Sequence, residues 1–150
     1  MRPPRILVVD DEAQVRWTLR ERLTEAGYDI FESGIASEAL ERMQSTDIDV
    51  VLLDLQLPDS DAEPVLDRMR AISPDIQIIL MTGPATIDRA VAAMKMGAYD
   101  YVDKPFNLDE VTTRVERALE LIHLRLEIRT LRPSENADVD GRSVRDGGSG

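Results

Sequence analysis

Polar residues with side chains suited to phosphoryl chemistry follow four separate short apolar runs, each where the run ends. They are, in chain order, Asp10, Asp11, Asp54, Thr82 and Lys104. Carboxylates brought to about 4 Å repel by roughly 4 kcal/mol at an effective dielectric of 20. A hard cation such as Mg²⁺, which prefers carboxylate and water oxygens, would relieve this repulsion. A carboxylate beside Mg²⁺ and a lysine can attack phosphorus and form an aspartyl phosphate.

Each residue alone also has a purely structural interpretation. An aspartate at a strand end commonly forms a turn or a cap, and Asp10 and Asp11 could cap a helix that begins at Glu12. Thr82 and Lys104 precede turn-like Gly-Pro and Pro segments. The phosphoryl-transfer interpretation is favoured because such residues follow all four apolar runs together. The Thr82 hydroxyl would then be available to bind a phosphoryl oxygen.

Short apolar runs alternate with amphipathic stretches, which predicts the elements that position these residues. Strands are predicted at residues 6–9, 28–32, 50–53, 77–81 and 99–102, and helices at 12–26, 37–44, 63–72, 86–96 and 107–131. Strict alternation implies an α/β doubly wound, five-stranded parallel sheet with helices on both faces. Ligand sites in such sheets lie at the carboxyl ends of the strands, so the polar residues should meet at one edge.

Composition limits the possible functions. The net charge of −11 argues against direct nucleic acid binding, which needs a basic face. Without cysteine, the chain has no disulfide and no thiolate metal site. No apolar run approaches the length of a membrane span, and the start lacks a signal-peptide pattern. These features predict a cytoplasmic protein that does not enter the membrane.

At the level of whole motifs, the chain resembles the receiver domain of two-component response regulators over about residues 4–122. The matching stretches are Ile-Leu-Val-Val-Asp-Asp-Glu at 6–12, Val-Leu-Leu-Asp-Leu-Gln-Leu-Pro at 51–58, Met-Thr-Gly at 81–83 and Gly-Ala-Tyr-Asp-Tyr-Val-Asp-Lys-Pro-Phe at 97–106. The resemblance implies a flavodoxin-like fold with strand order 2-1-3-4-5. It also implies a sensor histidine kinase as the partner that donates the phosphoryl group.

The same resemblance assigns roles to the acidic residues. Asp54 would be the phosphoacceptor and Asp11 would bind Mg²⁺ directly, with Asp10 nearby and often acting through water. The backbone carbonyl of Gln56 would be a further metal ligand. The protein would not be an enzyme with an external substrate, because it would catalyse only its own phosphorylation and dephosphorylation.

The resemblance further implies a switch. Thr82 and Lys104 would bind the phosphoryl group. Tyr101 would be the switch aromatic, a side chain that moves inward when Thr82 turns toward the phosphoryl group. The peptide bond between Lys104 and Pro105 would be cis. One departure is Ala62, where many receivers have glycine; if that position needed a positive φ, alanine would carry a cost.

Helical character continues beyond the usual end of a receiver domain. A stripe of apolar residues has the 3-4 spacing of a coiled-coil seam and consists of Leu121, Leu124, Ile128 and Leu131. We expect a dimer through this helix, the alternative being a frayed amphipathic tail, and phosphorylation could either make or break the dimer. The predicted organisation is a receiver domain at 1–122, a helical linker at 123–132 and a disordered tail or remnant at 133–150.

This layout resembles the front of nitrogen-regulation-type, sigma-54-dependent transcription activators, which predicts a role in transcription regulation. Because no Gly-Lys-Ser/Thr phosphate loop follows, we expect the output ATPase and DNA-binding domains to be absent from this chain. Single His123 is expected to be a surface or interface residue. Two other hypotheses are a phosphohydrolase, disfavoured because Gln56 stands where its second aspartate would, and an interaction module with a silent site.

Overall fold

The structure is a computed structural model that describes residues 2–136, with side chains described as far as residue 129. Its strands are β1 Arg5–Val9, β2 Asp29–Ser33, β3 Val50–Asp54, β4 Gln77–Thr82 and β5 Asp100–Asp103. Its helices are α1 Ala13–Glu25, α2 Ala36–Ser45, α3 Ala62–Ile72, α4 Ile87–Lys95 and α5 Leu108–Asn136, and a 3₁₀ turn, Pro84–Thr86, precedes α4. The predicted strict alternation is therefore confirmed.

The five strands form one parallel sheet in the order β2-β1-β3-β4-β5. β3 and β4 are buried along their whole length, and β1 is buried from Ile6 onward. Strands covered by helices on both faces need continuous apolar runs, which is the pattern these segments have. The order brings the ends of β1, β3 and β4 side by side in the middle of the sheet.

Two glycines set where elements end. Gly27 and Gly97 have φ of 99° and 106°, a left-handed conformation that side chains disfavour. Each follows a helix, and the next residue donates its N–H back into that helix, from Tyr28 to Leu23 at 3.2 Å and from Ala98 to Ala93 at 3.2 Å. Because Tyr28 closes α1 in this way, β2 begins one residue later than predicted.

The start of α3 answers the question raised by Ala62. Asp61 precedes the helix with φ of −77°, and Ala62 is the first helical residue and is buried. The position therefore needs no positive φ, and alanine there carries no conformational cost.

Helix α5 begins as predicted, because the Asn107 side-chain oxygen accepts the N–H groups of Asp109 and Glu110 at 3.0 and 3.2 Å. It continues to Asn136, so residues 133–136, assigned to a disordered tail by their composition, are helical instead. The helix continues for three residues past Pro133, although proline removes a backbone donor and its ring crowds the preceding turn. The rest of the predicted tail lies outside the described residues.

By its internal contacts the chain divides into two units, Met1–Leu119 and Glu120–Gly150. The first unit holds the sheet and its core. Among the helices of the described residues, none has both the length and the apolar character needed to cross a membrane.

Candidate functional site

Three carboxylates meet where β1 and β3 end. Val9 pairs with Leu53, so Asp10 and Asp54 lie next to each other just beyond this pair. Asp10 is fully buried and Asp54 is 5% exposed, whereas Asp11 is exposed. One carboxylate oxygen from each of Asp10, Asp11 and Asp54 lies within 4.8 Å of the others. Such a set of oxygens is suited to a hard divalent cation.

The ammonium of Lys104 neutralises part of this charge. Its Nζ lies 2.6 Å from Asp10 Oδ2 and 3.4 Å from Asp54 Oδ2, with Glu12 Oε1 at 4.0 Å. Its backbone N–H donates to Thr82 O at 2.8 Å, which fixes the loop after β5 to the end of β4. The peptide bond from Lys104 to Pro105 is cis, as the resemblance implied.

Burial and charge perturb the acidity of these groups. The pKa of Asp54 is raised, first by burial and also by the Asp10 charge, although the Gln56 N–H and Lys104 act in the opposite direction. Burial acts to lower the pKa of Lys104, but its hydrogen bond to Asp10 and the charges of both aspartates outweigh burial and raise it. Lys104 therefore stays a cation, as stabilising phosphoryl oxygens requires.

The loop after β3 folds back onto the strand end. The Gln56 N–H donates to Asp54 Oδ1 at 3.1 Å, which places the Gln56 backbone beside the Asp54 carboxylate. Leu57 and Ser60 form an isolated antiparallel bridge that closes the loop. The loop thus holds together the two groups that the resemblance assigned to phosphate and metal.

Asp59, in the same loop, has a role that the sequence prediction missed. Its carboxylate accepts the N–H groups of Ala36 and Ser37, at 2.8 and 3.1 Å, at the start of α2. These backbone hydrogen bonds, that of Ala36 foremost, lower the pKa of Asp59. A clue existed, since Ile35 stands at the N-cap of α2 and cannot cap it. The loop is therefore attached to α2.

Arg16 on α1 is a second residue that the prediction missed. Its Nη1 donates to the backbone carbonyl of Asp10 at 2.7 Å, and its Nε lies 3.2 Å from Glu32 Oε1. Arg20 holds the other oxygen of Glu32 at 2.8 Å. A Cβ at Gly34 would stand 3.3 Å from Arg16 Nη1, so the small residue leaves room for the guanidinium. This contact fixes the main chain that carries Asp10 and Asp11.

Thr82 lies at the predicted edge, but its hydroxyl is hydrogen-bonded within the loop after β4. Its Oγ1 is 2.6 Å from Thr86 Oγ1 and 3.1 Å from Gly83 O. Tyr101, the expected switch aromatic, is half-buried and packs against the core. The roles assigned to both residues stay predictions.

The predicted seam on α5 has exposed members in the second unit. Leu124 is 56% and Ile128 is 51% exposed, whereas Leu121 is half-buried. The side chain of Leu131 lies outside those described. His123 is exposed. Dimerisation through this stripe stays a prediction.

The sheet and this edge are those of a known family. The family model described as the response regulator receiver domain matches residues 6–116, and the chain belongs to this family. The resemblance and the fold class inferred from the sequence are thereby confirmed. Phosphoryl acceptance is the general function of receiver domains, which interact with histidine kinases in two-component systems and generally use Mg²⁺ at an acidic pocket.

The relatives include response regulators of the transcription-activator type. The regulatory protein AtoC of Escherichia coli K12 is 40% identical over 127 residues, which cover 85% of this chain and 28% of AtoC. The DNA-binding transcriptional regulator NtrC of the same organism is 39% identical over 116 residues, 76% of this chain and 24% of NtrC. The chain thus spans about a quarter of the length of these relatives.

Solved structures show the same fold. Brucella abortus NtrX, crystallised with ADP, has a TM-score of 0.81 and 32% identity, covering 86% of this chain and 30% of NtrX. A CheY-like receiver domain protein from Methanospirillum hungatei has a TM-score of 0.78 and 25% identity, covering 82% of this chain and 98% of that one. The second match shows that the sheet and its helices correspond to one whole receiver.

Proposed function

We propose that Asp54 accepts a phosphoryl group from the phosphohistidine of a sensor histidine kinase. The observation that carries this proposal is the Lys104 ammonium, which lies between the buried carboxylates of Asp10 and Asp54, at 2.6 and 3.4 Å. A carboxylate oxygen of Asp54 attacks phosphorus, a new P–O bond forms, and the P–N bond to the kinase histidine breaks. Lys104 is placed to stabilise the negative charge of the phosphoryl oxygens during transfer.

Mg²⁺ belongs to the same proposal. Asp11, Asp54 and the backbone carbonyl of Gln56 would hold the cation directly, with Asp10 nearby and acting through water. The grouping of three carboxylate oxygens within 4.8 Å supports this, because the single positive charge of Lys104 offsets only part of their negative charge. When bound, Mg²⁺ supplies charge compensation at the phosphoryl oxygens. Water would later cleave the acyl phosphate, so the domain would act only on itself.

The test uses acetyl phosphate as phosphodonor, with intact-protein mass spectrometry as the readout. We expect Mg²⁺-dependent addition of one phosphoryl group to the wild type and none to Asp54→Asn. A matched control is Asp49→Asn, since Asp49 lies just before β3 at the opposite edge of the sheet, where it accepts the Arg5 N–H at 2.8 Å. Labelling of Asp54→Asn at the wild-type rate would contradict the proposal.

We further propose that the phosphorylated domain regulates transcription through dimerisation by α5. The support is the pair of exposed seam residues, Leu124 and Ile128, together with relatives named as transcriptional regulators. A cytoplasmic location stays a prediction from the sequence. Light scattering with and without beryllofluoride, a phosphoryl mimic, measures whether the dimer depends on the site.

The seam has its own variant pair. Leu124→Glu should abolish a dimer that packs through the seam, because it would bury a charge. Leu126→Glu is the matched control, because Leu126 is similarly exposed, at 50%, but lies outside the 3-4 stripe. Equal loss of the dimer in both variants would contradict packing through the seam.

A further inference from the structure

The loop between β4 and α4 contains two buried threonine hydroxyls bonded to each other. Thr82 and Thr86 are 1% and 3% exposed, and their Oγ1 atoms lie 2.6 Å apart. Thr86 Oγ1 also accepts the Gly83 N–H at 3.1 Å and lies 3.2 Å from Gly83 O. Thr86 thus holds Thr82 from within the loop.

Counting protons shows what this contact does. A hydroxyl has one proton to donate, and binding a phosphoryl oxygen requires that Thr82 donate it. If Thr82 donates to Thr86, its proton is used there. If Thr86 donates instead, the Thr82 proton goes to Gly83 O, at 3.1 Å. In both arrangements the proton of Thr82 is engaged within the loop.

We propose that Thr86 is a positioning residue that holds the Thr82 hydroxyl away from the phosphoryl group until phosphorylation breaks the bond between them. The inference rests on the proposed phosphorylation of Asp54. Thr82 has two alternative hydrogen-bond partners, the Thr86 hydroxyl in the free domain and a phosphoryl oxygen in the phosphorylated one. A ligand that favours the state in which Thr82 binds a phosphoryl oxygen must supply the free energy needed to break the Thr82–Thr86 hydrogen bond.

Removing the restraint should therefore tighten binding of a phosphoryl mimic. Thr86→Val keeps the shape of the side chain but replaces the hydroxyl with a methyl group, leaving Thr82 only its 3.1 Å bond to Gly83 O. One intramolecular hydrogen bond corresponds to roughly a two- to tenfold change in an equilibrium. We expect beryllofluoride to bind Thr86→Val about two- to tenfold more tightly, in Mg²⁺, by titration calorimetry.

Matched variants separate positioning from a general effect on the loop. Thr86→Ser restores the hydroxyl and should return the affinity to that of the wild type. Thr82→Val should bind the mimic more weakly, and adding Thr86→Val in that background should change nothing, because the residue through which Thr86 acts is gone. Thr86→Ala replaces Thr86→Val if the latter does not give a cooperative melting transition.

Three results would overturn the proposal. The first is that folded Thr86→Val binds beryllofluoride no more tightly than the wild type. The second is that Thr86→Ser does not restore the wild-type affinity. The third is that Thr86→Val changes the affinity equally with Thr82 present or replaced by valine. Labelling by acetyl phosphate is followed in parallel. Thr86 variants should still be labelled at Asp54. If they are labelled but Thr86→Val does not change the affinity for beryllofluoride, this inference alone is rejected. If the wild type is not labelled, the proposed function is rejected.

Discussion

Replacing Asp54 with asparagine should stabilise the metal-free domain at neutral pH, although it removes the proposed phosphoacceptor. The Asp54 carboxylate is 5% exposed and lies near the fully buried Asp10. At an effective dielectric of 20, its repulsion from Asp10, whose nearest oxygen lies within 4.8 Å, is at least about 3.5 kcal/mol, and its attraction to Lys104 at 3.4 Å is about 5 kcal/mol. The two charge interactions largely cancel, so desolvation decides the sign.

Burial of a charged group costs several kcal/mol, and an amide avoids that cost. After allowing for the weaker hydrogen bond from Gln56, we expect Asp54→Asn to raise the free energy of unfolding by about 1–2 kcal/mol at pH 7. That corresponds to a rise of roughly 3–8 °C in Tm. Urea unfolding and thermal melts, both in EDTA, measure the two quantities.

The pH dependence gives a second test. The pKa of Asp54 is raised above its ordinary value of 3.8, so the native state binds the proton more readily than the unfolded state. Wild-type stability therefore falls as pH rises from about 3.8 through the raised pKa, and the penalty is complete above it. The advantage of Asp54→Asn should be full at pH values above the raised pKa and disappear toward acid pH.

Asp59 provides a control of opposite sign. Its pKa is lowered by the N–H groups of α2, so it stabilises the fold above its ordinary pKa, and that contribution is lost as pH falls through the lowered value. Asp59→Asn should therefore destabilise at pH 7. If Asp54→Asn were less stable than the wild type at pH 7 without metal, the reasoning from burial would be refuted.

Magnesium should reverse the order of the two proteins. A ligand at 100 times its Kd stabilises the native state by about 2.7 kcal/mol. Wild type gains this stabilisation, whereas Asp54→Asn, which lacks one carboxylate of the proposed site, should gain much less. An equal Mg²⁺-dependent rise in Tm for both proteins would show that the cation binds elsewhere.

Three further predictions concern single residues. Lys104→Met should lower the free energy of unfolding in EDTA by about 2 kcal/mol, because two buried carboxylates lose their cation, and unchanged stability would contradict this. Asp59→Ala should lower the free energy of unfolding by about 1 kcal/mol, as loss of a helix cap does. It should also raise the Mg²⁺ concentration needed for labelling, and an unchanged Mg²⁺ requirement would contradict this. Gly97→Ala should lower the free energy of unfolding in urea more than Gly27→Ala does. Both positions have positive φ, but of the two only Gly97 would place a Cβ against the Arg70 guanidinium. Equal losses of stability would show that the guanidinium moves aside freely.

The convergence of the site residues could be predicted from the sequence because it follows from the sheet. β1, β3 and β4 are covered on both faces, so each is an apolar run that ends abruptly in polar residues, and those ends share an edge by topology. The strand order itself came from the resemblance, because the spacing of apolar residues carries no information about which strands are neighbours.

The supporting contacts were not predictable in the same way. Asp59 caps a helix that begins 23 residues earlier, and Arg16 binds a backbone carbonyl, which every residue has. The bond between Thr82 and Thr86 depends on the 3₁₀ turn at Pro84–Thr86, which precedes α4 and was not predicted. The end of α5 was predicted too early because residues 133–136 were assigned to the tail by their composition, which does not show where a helix ends.

The carboxylate of Asp59 has a practical consequence for spectroscopy. The amides of Ala36 and Ser37 donate to a loop that also carries Gln56, although they belong to α2. Their exchange with solvent deuterium requires the loop to release the helix, so their protection measures how firmly the loop is held. Slower exchange of these two amides on adding Mg²⁺ or beryllofluoride would therefore report events at Asp54 from a different element of the fold.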